Sequence, residues 1–471
     1  MRRVKFVLAI AAVLNPWILQ GRCVGEEPSG LEARAASKVI GTVPDGLNVP
    51  PFLIRIGPEG RWTAFGARKG EKGDAGGGLY SVLNGEVTGP WQSLGTTTFL
   101  GGGEAAVREW GTEQGTFVSV GKKEWGPFNR ARALFSRDRG RVVFLVQADG
   151  KDRLIRDGDL EEAYDDIDGV AISDDGLTVA HAAESGHEEC VVVNGAKGET
   201  FDHAGHKWVW LTPDGKHLAY IASRGDATFL VRDGEKTPVP AGARSPVLSP
   251  DGSRCVYWTR DGETWTPVID SKSRPECDRV GLVRFSPDSA RLAYVSSRSG
   301  KATLVVDDRP AVECTSVHSF VFSPDGKRYA ARIQRDAGEF VVVDGREHGP
   351  YAMGDPHELE EPLFSPDGAQ VAWAALRWEG PNSPHRWVAC LDEVDGPEFD
   401  LVTGLTFSPD GKHFAYTGRN FDRGDSLVLD GQAERLGDTI QRIDFASSGL
   451  SVGVGVVRGR EILWLDIPTA K

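Results

Sequence analysis

The tetrapeptide Ser-Pro-Asp-Gly returns along most of this chain, and a sequence punctuated that way has few ways to fold. It starts at Ser249, Ser323, Ser365 and Ser408, with Ser-Pro-Asp-Ser at Ser286 and Thr-Pro-Asp-Gly at Thr212. Around Ser323 the text reads SFVFSPDGKRYAARI, two apolar runs about a four-residue turn. Serine opens the turn, proline presets φ at its second position, aspartate suits the third and glycine eases the exit. That is the signature of a β-hairpin. A third run, EFVVVDG, ends on a turn at Asp344-Gly345, and a fourth, GPYAM, leads to the next copy. Each unit therefore reads as a four-stranded antiparallel meander, the blade of a β-propeller.

Degenerate anchors extend the series to Gly57, Gly101, Ser136, Ser173, Thr212, Ser249, Ser286, Ser323, Ser365, Ser408 and Ala446, about eleven units. From Ser136 to Ser323 the spacings are 37, 39, 37, 37 and 37 residues. Units of this kind share one continuous core, so 471 residues do not translate into several ordinary domains. The 58 glycines and 27 prolines supply the turns of an all-β fold. The last unit, from Ile443, runs out after three strands. In a closed ring its missing fourth is expected from Val39 to Val43 or from Phe52 to Ile56. Eleven blades exceed the usual four to eight. Two abutting propellers are expected, residues 39–244 holding units one to five and 245–468 units six to eleven, divided in the turn-rich text Thr237 to Gly252. One large ring and an open solenoid are the alternatives.

The words FSPDGK-x-hydrophobic-Ala-Tyr with a third strand behind them resemble the WD40-like repeats of the TolB family and of the propeller part of prolyl oligopeptidases. The resemblance covers roughly residues 50 to 468 and is carried by the six strongest copies. The units here depart from TolB in their VVxDG and Gly-Pro-aromatic words, as in VVVDGREHGPY. It implies a propeller, and no hydrolase domain follows the repeats, since no GxSxG elbow is present.

Residues 1–25 have the layout of an export signal: Arg2, Arg3 and Lys5, an apolar run, then small residues near Gly25. Asn15-Pro16 interrupt that run, against a membrane anchor, and Arg22 stands where a lipoprotein signal wants a small residue before Cys23. A polar linker is expected over 26–38, and a periplasmic or extracellular location follows. Cleavage would take the formal charge from −14 to −18, since it removes four cations (Arg2, Arg3, Lys5, Arg22) and no acid. So acidic a chain is a poor partner for phosphate backbones, which excludes nucleic acid. Cys190, Cys255, Cys277, Cys314 and Cys390 show no CxxC spacing and read as buried small hydrophobes.

In a meander the first and third turns share one side, so variation on the other side is where function is expected. The variable loops there are Ala67 to Leu79, Met353 to Pro362, Leu376 to Trp387 and Thr417 to Ser426. They nominate Arg377, Trp378, His385, Arg386, Phe421 and Arg423, aromatic and cationic groups suited to a peptide, a carboxylate or a sugar. The bland alternative is solvated loops with single exposed aromatics. Two Arg-Gly-Asp words, at Arg224 and Arg423, read as turn composition. DDIDG at Asp165 lacks the full ligand run of a calcium loop, and HELEE at His357 lacks the second histidine of a zinc helix, so no metal is expected. No phosphate cradle and no cofactor are expected either. The function read from the chain is an exported scaffold that binds a protein or peptide partner without catalysis. The alternative is a secreted propeller enzyme acting on glycan or peptide from an axial site.

Overall fold

The computed structural model describes residues 35–469 apart from 50–53, 62, 70–78, 96, 102–104, 206–207, 354–359, 378–384 and 438. Among the described residues the strands form eleven antiparallel sheets, each a four-strand meander, taken here as blades 1 to 11. In blades 1, 2 and 5 the first strand is split into two short pieces. The first strands of neighbouring blades touch one another, while fourth strands such as Ala196–Phe201 and Arg346–Tyr351 are largely exposed, so the first strands face the axis.

The turn residues of the repeat act beyond their φ preferences. Ser323 Oγ donates to Asp325 Oδ1 at 2.6 Å and accepts the Arg328 N–H at 2.9 Å, while the Gly326 N–H closes the turn on the Ser323 carbonyl at 2.9 Å. The same serine-to-aspartate bond recurs at Ser136, Ser173, Ser249, Ser286, Ser365 and Ser408. All of these serines are buried, which is affordable because each hydroxyl is satisfied on both sides. Gly326 has φ +73, and a Cβ there would come within 2.6 Å of Asp288 Oδ1 in the preceding blade's turn. The turns thus sit against one another around the ring, which explains why a whole word recurs rather than a bare glycine. Arginines reinforce this side: Arg328 pairs with Asp344 of its own blade at 2.8 Å and donates to the carbonyls of Gly368 and Ala369 in the next.

Every neighbouring pair of blades shares an apolar cluster. Middle-strand side chains such as Ala331 and Ile333 of blade 8 meet Leu304 and Val306 of blade 7, and Trp373 and Ala375 of blade 9 meet Val341 and Tyr351 of blade 8. Blade 11 meets blade 1 the same way, Val457 and Ile462 packing on Ile54, Ile56 and Phe65. The packing therefore runs as one circuit through all eleven blades. Its closure is the one expected from the short last unit. Ala36–Thr42 is the fourth strand of blade 11, antiparallel to Glu461–Pro468. Of the two candidates it is therefore the earlier segment that closes the ring, and Arg55–Ile56 pairs within blade 1. Ala36, Ser37 and Lys38 belong to this closing strand rather than to a linker.

The apolar circuit does not break at 244/245, but a cleft lies on each side of the junction between blades 5 and 6, of about 550 and 620 Å³. The five described cysteines are buried and free, Cys277 and Cys314 filling the slot that Phe201, Tyr351 and Phe399 fill elsewhere. No helix among the described residues is long and apolar enough to cross a membrane. The proposed export signal lies outside the described residues.

Candidate functional site

The first strand of many blades bends where it faces the axis. Register shifts recur at Asp168/Ala171, Arg244/Val247, Gly281/Arg284, Val317/Ser319 and Thr403/Thr406. Bulges of this sort re-aim side chains and end pairing locally. In blade 5 the disruption is larger: His203–Ala204 and Trp210–Leu211 pair with the second strand, and Trp208 and Val209 between them make no ladder pair with it. The Trp208 N–H bonds the Gly205 carbonyl at 2.9 Å, and this excursion lies against Gly169 of blade 4. It leaves Trp208 57 % exposed.

Trp208 stands on one wall of the 550 Å³ cleft, on the side of the variable loops. The opposite wall is Gly242 to Pro246 of blade 6, which brings Arg244, and Ser223 and Thr228 contribute hydroxyls. Glu189 closes one end. Its carboxylate accepts the Ala204 N–H at 2.7 Å and faces His203 Nδ1 at 3.1 Å, so it fixes the strand that carries the excursion. The cleft offers an exposed indole, an arginine and a carboxylate-held histidine on a rigid frame. That set suits an extended peptide with an aromatic or acidic side chain. Nothing in the sequence reading singled out Trp208 or Arg244. The available signal was Gly-His-Lys interrupting a first-strand pattern just before Trp208.

The sequence-nominated residues are distributed over blades 9 and 10. Arg377 and Arg386 stand opposite each other in the hairpin of blade 9. Arg377 pairs with Asp395 and lies 5.3 Å over the Tyr351 ring of blade 8; Arg224 repeats that stacking on Phe201 at 5.0 Å. Arg386 pairs with Asp400, whose other oxygen accepts the Phe421 N–H at 2.8 Å. Lys151 and Asp165 repeat the pair, Asp165 accepting the Gly186 N–H. The structure thus brings Arg386 and Phe421 together through Asp400, and it uses both arginines in bonds that recur from blade to blade. Phe421 is exposed, His385 is exposed, and Arg423 pairs with Asp422 at 3.3 Å on the surface. Trp378 lies outside the described residues. The Asp of the second Arg-Gly-Asp word, Asp425, is buried under Arg419 at 2.7 and 2.9 Å.

Among the described residues no group of three His, Cys, Asp or Glu side chains is placed to hold a metal ion. Asp165 is instead a turn cap, its carboxyl held below the usual carboxylate range by the hydrogen bonds from Lys151 and Gly186.

No family profile matches the chain, and no curated protein matches its sequence. Solved structures do match at low similarity. A eukaryotic initiation factor structure aligns with TM-score 0.38 and 11 % identity over 70 % of this chain and 94 % of that one. The tricorn protease aligns with TM-score 0.29 and 14 % identity over 82 % of this chain and 48 % of its own. The propeller domain of the Trilobed protease from Pyrococcus furiosus aligns with TM-score 0.27 and 13 % identity, over 56 % and 94 %.

Proposed function

We propose that this chain is an exported, TolB-like propeller scaffold that holds a protein or peptide partner in the loop-side cleft between blades 5 and 6, without catalysing a reaction on it. The observation that carries the reading is the exposed Trp208 set across a 550 Å³ cleft from Arg244. An indole left in water on a rigid frame is a ready anchor, and a few such residues dominate protein and peptide recognition. Strand edges around the cleft, where the first strand of blade 5 is interrupted, add backbone groups that an extended peptide can pair with. Export is supported by the basic, apolar and small-residue order of residues 1–25, and a periplasmic or extracellular site of action goes with it.

The experiment is selection of a displayed random-peptide library on the full chain, followed by Trp208→Ala and Arg244→Glu variants. Enriched peptides that lose binding in both variants, while thermal unfolding stays as in the parent, support the reading. Selection that yields no binder, or binders indifferent to both substitutions, overturns it.

A further inference from the structure

A third cleft, between blades 1 and 2, contrasts with the plugged junction between blades 8 and 9. In blade 8 the face turned to blade 9 carries Arg332, Val341, His348 and Tyr351 in register. There Trp373 Nε1 donates to Tyr351 Oη at 3.2 Å, and His348 lies 5.1 Å from the Trp373 ring. The matching positions in blade 1 are Gly66, Ser81, Thr88 and Trp91. Three of the four, Gly66, Ser81 and Thr88, are smaller than their counterparts, and a cleft of about 100 Å³ remains. At the place of Arg377, which caps the Tyr351 ring, blade 2 has Thr112.

The walls of this cleft are specific. Trp110 meets Trp91 at 5.6 Å between rings and stacks on Phe117 at 5.8 Å, so its position is fixed. Arg108 lies 5.5 Å over Trp110, donates to Ser119 Oγ at 3.3 Å and stands 3.6 Å from Glu124. Trp91 Nε1 is buried with no hydrogen-bond partner, whereas buried donors in folded proteins are nearly always satisfied.

We propose that the cleft between blades 1 and 2 binds one sugar ring of a glycan. The C–H face of a pyranose lies on an indole, here that of Trp91, where Thr112 stands in place of a capping arginine, and its hydroxyls both donate and accept, which suits Ser81, Thr88, the Arg108–Glu124 pair and the unsatisfied Trp91 Nε1–H together. An organic cation fits less well, because Arg108 already brings a positive charge to the cleft and a cation offers Trp91 no acceptor. A simple anion meets Arg108 but also Glu109 and Glu124 at the same cleft. The size admits part of one ring, edge or face first, and not a length of peptide.

The test is saturation-transfer NMR on the full chain with the methyl glycosides of glucose, galactose, mannose and N-acetylglucosamine as probes, and with tetramethylammonium and acetate as competitors. Saturable transfer to at least one glycoside, weakened about tenfold or more by Ser81→Leu and by Trp110→Leu and untouched by Trp208→Ala, supports the site. Because Trp110 also packs on Trp91 and Phe117, Ser81→Leu, which only fills the cleft, decides the matter when it melts like the parent. No transfer to any glycoside, transfer that survives Ser81→Leu, or binding of tetramethylammonium or acetate with no glycoside bound overturns it. Since Trp208→Ala tests the other cleft, failure of the peptide reading and failure of this one are distinguishable.

Discussion

Val39 of the first described strand stands opposite Leu463 of the last, in an antiparallel register that runs from Ala36 with Asp466 to Thr42 with Glu461. The two ends of the chain are thereby stitched into one sheet, and the Arg460 guanidinium adds a hydrogen bond to the Val43 carbonyl at 2.6 Å. With that strand in place Glu461–Pro468 is paired on both sides, and the outer edge of the closing blade is the exposed strand Ala36–Thr42, as a fourth strand is in the other blades.

Removing residues 1–42 is expected to cost about 3 kcal/mol, from a full strand's worth of lost hydrogen bonds and uncovered apolar surface. Glu461–Pro468 would then be an open edge and pair with a second copy. Calorimetry combined with light scattering checks both effects. A truncated chain that is monomeric and unfolds at the parent's midpoint would show that the strand contributes nothing to closure.

His181 is buried with neither ring nitrogen hydrogen-bonded, and its ring meets Tyr164 edge-on at 5.9 Å. Loss of hydration, with the charge of Arg156 adding to it, pushes its pKa down to about 4. The unfolded chain therefore binds a proton here at higher pH than the folded one, so stability falls as pH drops from about 6.5 towards 4, by up to roughly 3 kcal/mol. Equivalent positions in other blades hold Tyr220, Tyr257, Tyr294, Trp373 and Tyr416. His181→Phe is accordingly expected to fold and to flatten the acid limb. Urea unfolding at pH 8 and pH 5 measures it, and an identical pH slope in parent and variant would contradict the assignment.

Arg332 and Glu339 form an ion pair inside blade 8, with side chains only 1 % and 4 % exposed. Arg332 Nη2 also donates to the carbonyls of Ala374 at 2.8 Å and Glu360 at 3.2 Å, tying blade 8 to blade 9 and to the segment before it. Glu360 in turn accepts the N–H groups of Gly404 at 2.8 Å and Leu405 at 3.3 Å on the first strand of blade 10. Glu339→Ala leaves a buried guanidinium without its counter-charge and is expected to cost about 3–5 kcal/mol. The double change Arg332→Met with Glu339→Leu is expected to cost less than the single one. Chemical denaturation of the set reads the coupling, and a single variant within about 1 kcal/mol of the parent would rule out a tightly held pair.

Turn chemistry and strand alternation are local, so the chain alone determined the unit, the number of units, the position of the hairpins and the need for a closing strand. The side of the ring where loops vary was legible for the same reason. What a given loop side chain does was not, because it depends on the neighbouring blade. Arg377 and Arg386 look like free cations in the text of blade 9 and are occupied by Asp395, Tyr351 and Asp400 once the blades are set side by side. Trp208 and Arg244 belong to different units and face one cleft only because blade 5 breaks its first strand there. The hollow beside Trp91 likewise arises from Gly66, Ser81 and Thr88 being small at one junction at once, residues that lie on three strands. Only tertiary packing brings such residues together, since the distance that matters runs between sheets and no spacing along the chain encodes it.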